Sequence, residues 1–227
     1  MVQARQGIRS TKSRPNITQY KQHEATSLPI DTTPSQELHI KVEHIRKLYM
    51  NNNGRFPVRS QSGNKYTMIA YHCDSNAIIV APFNSRANKH RIRAYGAIMK
   101  RLKDRSMMVD LQILDNEAST EYKSIIKYEW GVGYKLAPPH IHCRNVAECA
   151  IHTFKSHYIS NLVGIAPTYP NHLWDLLLTQ TELTLNILRQ STLNTKILAW
   201  EYFQGPFDFN ATPIGPLGCP IMIHQKK

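Results

Sequence analysis

The chain has 227 residues, 41% of them hydrophobic, which is enough to bury the core of one α/β domain with extensions and excludes a wholly disordered polypeptide. Lys and Arg outnumber Asp and Glu by 28 to 16, and the net charge of +12 suits a polyanion far better than a small neutral substrate; nucleic acid is the first expectation, an anionic membrane surface a distant second. No apolar run approaches the roughly 18 residues of a membrane span, no apolar signal core follows Met1, and Cys73, Cys143, Cys149 and Cys219 form no CxxC pair, so the expectation is a soluble, intracellular protein with neither a disulfide framework nor a zinc ribbon.

Residues 1–40 read as a flexible basic linker. Five Lys or Arg and no acid fall within residues 1–21, and "ATSLPIDTTPSQ" then supplies Thr, Ser and Pro that cannot bury a core. Such a disordered arm could touch phosphates without base specificity, or be a solvated tail. From 41 to 205 the pattern is that of a folded core. "IRKLYM" (45–50) reads as a strand, and "YTMIAY" (66–71) and "AIIVAP" (77–82) flank "DSN" as a hairpin. The period then changes: Ile92, Tyr95, Ile98, Met99 and Leu102 share one face of a helix over 85–104. "MMVDLQIL" (107–114) is a further strand, followed by a helix-like "TEYKSIIKYEWG" and a strand "GYKLAP". In "PHIHCRNVAECAIHTFKSHYISNL" the residues Val146, Ala150, Phe154 and Tyr158 or His157 align on one helical face, and Trp174, Leu178, Leu185 and Leu188 mark a long helix over 171–190. Prolines 206, 213, 216 and 220 break up an extended tail, 206–227, that ends in the strand-like "PIMIHQKK". Strands first, then strands alternating with helices, point to an α/β fold, a mixed sheet flanked by helices.

Two carboxylates stand where such a sheet makes side chains converge: Asp115 at the end of an apolar strand and Glu148 on a later helix. A strand-end acid facing a helix-borne acid can hold Mg²⁺ or Mn²⁺ over a phosphodiester, because hard oxygen ligands leave coordination positions for phosphate and water; surface salt bridges are the plainer alternative. His152 and Lys155 follow Glu148 by four and seven residues, on its helical face, where Lys155 could reach a phosphate or simply be solvated. His140, His142, Cys143, Cys149 and His152 look like zinc ligands, but their spacing matches no standard structural site.

With these residues in view, the chain resembles the integrase catalytic core of LTR retrotransposons, copia-type elements in particular, over about residues 45–210. The motifs that carry the likeness are "NGRFPVRSQSGNKY", "DSNAIIVAPF", "LDNEAS", "PPHIHCRNVAECAIHTFK", "HLWDLLLTQTELTLNILR" and "GPFDFN". The resemblance implies an RNase H-like fold and three acids binding two divalent metal ions. Such enzymes trim the 3′ ends of element DNA and join them to target DNA by attack of a 3′ hydroxyl on a phosphodiester. Residue by residue, Asp115 matches the second acid and Glu148 the third, at a spacing slightly shorter than the family's usual one. Asn145, His152 and Lys155 are the expected DNA-contacting positions.

The first acid of the family should stand at Asn51, in "MNNNGRFP". An amide there keeps one neutral oxygen and loses the charge that bridges two metals, an expected loss on the order of a thousandfold in rate. Asp74 matches a turn aspartate rather than the missing acid. Cys143, Cys149 and His152 stand where relatives commonly carry arginine. Asp to Asn, Arg to Cys and Arg to His are each one C to T or G to A change, so the chain reads as a copy decaying through cytosine deamination. The zinc-binding His2Cys2 domain that usually precedes the core and the β-rich DNA-binding domain that usually follows it are not in this sequence, which reads as a truncated, degenerate copy. The expected partners are element and target DNA and a homo-oligomer, with no membrane; the expected location is the nucleus. The alternative is a non-catalytic DNA-binding or interaction module that kept the fold.

Overall fold

The alternating segments pair as a meander. In the computed structural model, which describes residues 44–114, 118–137, 146–219 and 222, β1 (Lys47–Asn52) pairs antiparallel with β2 (Tyr66–His72), and β2 with β3 (Ala77–Phe83). Asn76, at φ 57°, closes the β2–β3 turn and donates its backbone N–H to the Cys73 carbonyl at 3.3 Å; Asn tolerates this left-handed conformation better than most residues. Helix α1 (Asn88–Asp104) then returns the chain to β4 (Leu111–Leu114), parallel to β1, and β5 (Gly133–Leu136) adds parallel to β4. The five-stranded sheet has the order β3-β2-β1-β4-β5, the mixed sheet expected from the sequence. Between β4 and β5, α2 (Thr120–Ser124) winds directly into a π-helical turn, Ile125–Glu129. After β5 come α3 (Val146–Val163), a 3₁₀ segment (Asn171–Leu176), α4 (Leu177–Ile187) and α5 (Ala199–Gln204).

Strand parity builds a core on each face of the sheet. Leu48, Met50, Met68, Ala70, Ile79 and Ala81 pack with Tyr95, Ile98, Met99 and Leu102 of α1. The intervening residues Ile69, Ile78 and Val80 pack with Ala150, Ile151, Phe154 and Tyr158 of α3 and Leu178 and Leu185 of α4. A sheet covered on both sides has near-continuous apolar strands, as "AIIVAPF" does.

The outer edge of β3 is closed by side chains. Asn186 of α4 accepts the Ile78 N–H at 2.9 Å and donates to the Ile78 carbonyl at 2.8 Å. Glu182 accepts the Val80 N–H at 2.8 Å and pairs with the Arg101 guanidinium of α1. These contacts satisfy backbone groups that an uncovered edge strand would leave open to another chain.

Several expected boundaries move. β1 starts at Lys47 and continues through Asn51 and Asn52, poor strand formers held by pairing with Ile69 and Met68. β4 is shorter than 107–114; Met107 and Val109 are buried but precede it, and Asp110 turns to bind Arg46, its carboxylate accepting the Arg46 backbone N–H at 2.9 Å. The helix expected over 171–190 is two elements, and Leu188 lies exposed past the end of α4. The tail to residue 219 is not merely trailing: Leu217 is buried in the α3–α4 core, and Gly218, at φ +69°, sits where a Cβ would meet Ile165 at 2.9 Å. The basic arm over 1–40 and most of "PIMIHQKK" lie outside the described residues.

Candidate active site

Asn51 is the penultimate residue of β1 and is half-buried. Its side chain lies on the opposite face from Leu48 and Met50, by strand parity, and its cross-strand partner is Ile69. Ile69 is buried in the same cluster as Phe154 and Ile151, so Asn51 belongs to the face that α3 covers. The amide oxygen of Asn51 accepts the backbone N–H of Asn52 at 2.6 Å. Its best ligand atom for a cation is therefore turned toward the following peptide group.

Helix α3 carries Glu148 in its first turn, where a carboxylate complements the positive end of the helix. Ala150, Ile151, Phe154 and Tyr158 bury one face of this helix, and Phe154 stacks on Tyr158 with ring centroids 5.8 Å apart. Glu148, half-buried, and His152 and Lys155, both exposed, follow a separate stripe of the same helix. The expected spacing of these three residues thus holds as geometry. Asp115, which follows the last residue of β4, lies outside the described residues, as do Asn145, His140, His142 and Cys143. Asp74 is elsewhere: it is buried in the β2–β3 turn, bonded to His44 at 3.0 Å. Cys149 is exposed and unbridged. Among the described residues no three His, Cys, Asp or Glu side chains gather closely enough to hold a metal ion.

Asn51 offers a neutral amide oxygen, hard but uncharged, where a divalent ion is better served by a carboxylate. With that oxygen also accepting from Asn52, Asn51 fits a hard divalent ion poorly.

Residues that sequence reasoning missed lie beside this helix. The loop between β1 and β2 carries Arg55, Arg59 and Lys65, and Arg55 shares with Lys155 the wall of a groove of about 400 Å³. The available signal was the absence of any acid from "NGRFPVRSQSGNK".

No protein-family model matches the sequence, and no curated protein matches it. Solved structures do. A chain in the cryo-EM structure of the simian T-cell lymphotropic virus intasome, in complex with PP2A regulatory subunit B56 gamma, matches at TM-score 0.55 and 14% identity, over 79% of this chain and 60% of that one. The catalytic core domain of BIV integrase matches at TM-score 0.50 and 14% identity, over 69% of this chain and 92% of that one. The HTLV-2 integrase catalytic core domain, solved in complex with magnesium in a trimeric form, matches at TM-score 0.51 and 14% identity, over 70% of this chain and 95% of that one.

The class is therefore an RNase H-like α/β domain, a mixed five-stranded sheet between helical layers. Within that class the chain has the fold of retroviral integrase catalytic cores; it spans 60% of the length of the simian virus chain it matches. Among the described residues no helix is long and apolar enough to cross a membrane.

Proposed function

We propose that the chain is the integrase catalytic core of a copia-type LTR retrotransposon, binding DNA in the nucleus and impaired in 3′-end processing and strand transfer. The observation that carries this reading is the position of Asn51: at the end of β1, on the face covered by the helix that bears Glu148, next to the parallel strand after which Asp115 follows. The parallel register, Lys47 with Leu111 and Tyr49 with Ile113, runs β4 toward the same end of the sheet as Asn51. Glu148 and Asp115 would hold Mg²⁺ or Mn²⁺. Bound there, the ion supplies Lewis-acid polarisation of a phosphodiester. Lys155, exposed and without an ion-pair partner among the described residues, offers a point charge to a phosphate next to that position, with His152 and Asn145 as further DNA contacts.

The chain's own residues restrict this chemistry. Asn51 cannot supply the third negative charge, and its NH₂ group presents donors where a cation needs acceptors. Decay by cytosine deamination accounts for Asn51, Cys143, Cys149 and His152 together, and on this reading the sequence is a degenerate copy. A gene without TpG or CpA at those codons argues against that origin.

Strand transfer with Mn²⁺ tests the reading directly. The unaltered chain is expected to join ends weakly or not at all, and Asn51→Asp to recover on the order of a thousandfold. Robust joining by the unaltered chain refutes the impairment, and no gain on Asn51→Asp refutes the assignment of the first acid. A second reading, a non-catalytic DNA-binding module of the same fold, is favoured by the Asn51 oxygen being committed to Asn52. It expects DNA affinity that is insensitive to Asp115→Asn and falls steeply with salt.

A further inference from the structure

The β1–β2 connection runs from Asn53 to Lys65 and is held by hydrogen bonds at each end and in its middle. Phe56 donates its N–H to the Lys65 carbonyl at 2.8 Å, and Ser60 donates to the Asn64 carbonyl at 2.9 Å. These two clips bring positions 55, 59 and 65, far apart in the loop, onto neighbouring rungs. The loop is also pinned to the 3₁₀ segment. Gln61 donates to the His172 carbonyl at 2.7 Å, Trp174 Nε1 donates to the Val58 carbonyl at 3.0 Å, and Asn64 donates to the buried Asp175 carboxylate at 2.9 Å. Phe56 adds a stacked contact with Trp174, ring centroids 3.8 Å apart.

This well-fastened loop holds Arg55, Arg59 and Lys65 together. Arg55 is the leading cause, and Arg59 a further one, of a Lys65 ammonium pushed below its ordinary range, as expected where cations crowd one another. None of the ion pairs among the described residues includes Arg55, Arg59, Lys65 or Lys155. Arg55 and Lys155 line the same groove, so the loop cations continue onto the charged stripe of α3 that begins at Glu148. Like charges fixed side by side without acids oppose folding, and a rigid scaffold that keeps them together implies a ligand that neutralises them. Through Arg55 the cluster continues along the groove to Lys155, and cations extended over two elements fit a polymeric anion better than a free phosphate.

We infer that the β1–β2 loop is a second DNA-contacting surface, with Arg55, Arg59 and Lys65 gripping backbone phosphates of the same DNA that passes Lys155 on α3. The inference rests on the proposed DNA-binding function and adds to it a place and a set of residues. Binding there reads no sequence, because the groups involved are long cations directed at phosphates.

The test uses the full chain and fluorescently labelled duplex DNA, with affinity measured by anisotropy across a salt series. The triple variant Arg55→Gln, Arg59→Gln, Lys65→Gln is expected to bind more weakly for every DNA sequence and to lose about 3 from the slope of log affinity against log salt, about one per cation removed. The charge-keeping variant Arg55→Lys, Arg59→Lys, Lys65→Arg is expected to retain the parent's slope. Parent-like slope and affinity in the glutamine variant overturn the inference and leave the proposed function standing; failure of the parent to bind DNA at low salt overturns both. A charge-keeping variant as weak as the glutamine variant also overturns it, since the residues would then act through structure. Polyglutamate displacing labelled DNA as effectively as unlabelled duplex at matched charge overturns the assignment to nucleic acid in favour of an acidic protein.

Discussion

Replacing Glu182 tests how the edge of the sheet is secured. Its carboxylate accepts the Val80 N–H at 2.8 Å and receives the Arg101 guanidinium, joining α4, β3 and α1. Glu182→Leu keeps roughly the same volume but leaves a buried backbone N–H without an acceptor, worth about 1–3 kcal/mol, and removes a charge-assisted hydrogen bond worth about 1.5–3 kcal/mol. Arg101 is 39% exposed and can turn toward water, which discounts the second contribution. The expected loss is about 3 kcal/mol, or about 6–12 °C in melting temperature for a domain of this size. Glu182→Gln keeps an acceptor for Val80 and should lose about half as much. Thermal unfolding followed by circular dichroism measures all three proteins. A Glu182→Leu melting point within about 2 °C of the parent would refute the idea that this side chain secures the β3 edge.

Asn186→Ala is expected to cost about 2–4 kcal/mol in urea unfolding, because it strands both the N–H and the carbonyl of buried Ile78; a loss under about 1 kcal/mol contradicts that geometry. His72 gives a pH dependence of defined sign. Burial pushes its imidazole down to about 4, and the Ser75 N–H points at Nδ1 from 3.3 Å, a contact that favours the unprotonated nitrogen. Since the folded value lies below the unfolded value of about 6.5, the protein is fully stable above that pH and loses stability as pH falls toward about 4, by roughly 2 kcal/mol between pH 7.5 and pH 5. His72→Gln should flatten that part of the profile in chemical denaturation at the two pH values, and an equally steep loss in the variant would show that other groups drive it.

Much of this fold was legible because its strands and helices carry their own periods. The hairpin around "DSN" was readable from β-branched runs about a turn signal, and the buried face of α3 from Ala150, Phe154 and Tyr158. What the sequence hid was long-range. The break between the 3₁₀ segment and α4 accompanies bonds from Trp174 and Asp175 to Val58 and Asn64, more than a hundred residues earlier. Helix α5 is six residues long, too short for a period; it is fixed by buried Ala199 and Phe203 and by Glu201 accepting the Leu198 N–H at 2.8 Å. Asn51 stands out in the sequence only through its motif, whereas Arg55, Arg59 and Lys65 have no shared period and become neighbours only through backbone clips within the loop.

On the proposed reading, the separation of core from site lets this fold outlast its chemistry. Core packing on the α3 side rests on Ile69, Phe154, Tyr158 and Leu178, while Asn51 and Glu148 are half-buried and His152 and Lys155 exposed. Substitution at exposed or partly exposed polar positions usually shifts stability by about 0.5 kcal/mol or less, whereas loss of a buried aromatic costs about 3–5 kcal/mol. Replacing one of several neighbouring acids by an amide removes charge repulsion in the metal-free protein, so the change that most damages a metal site need not harm the fold. On the proposed reading, the arginine-to-cysteine and arginine-to-histidine changes at 149 and 152 fall on the outward stripe of α3 and have little effect on packing. The sheet, both cores and the basic loop can then persist in a chain whose catalytic acids are incomplete, and DNA binding is the activity expected to survive longest.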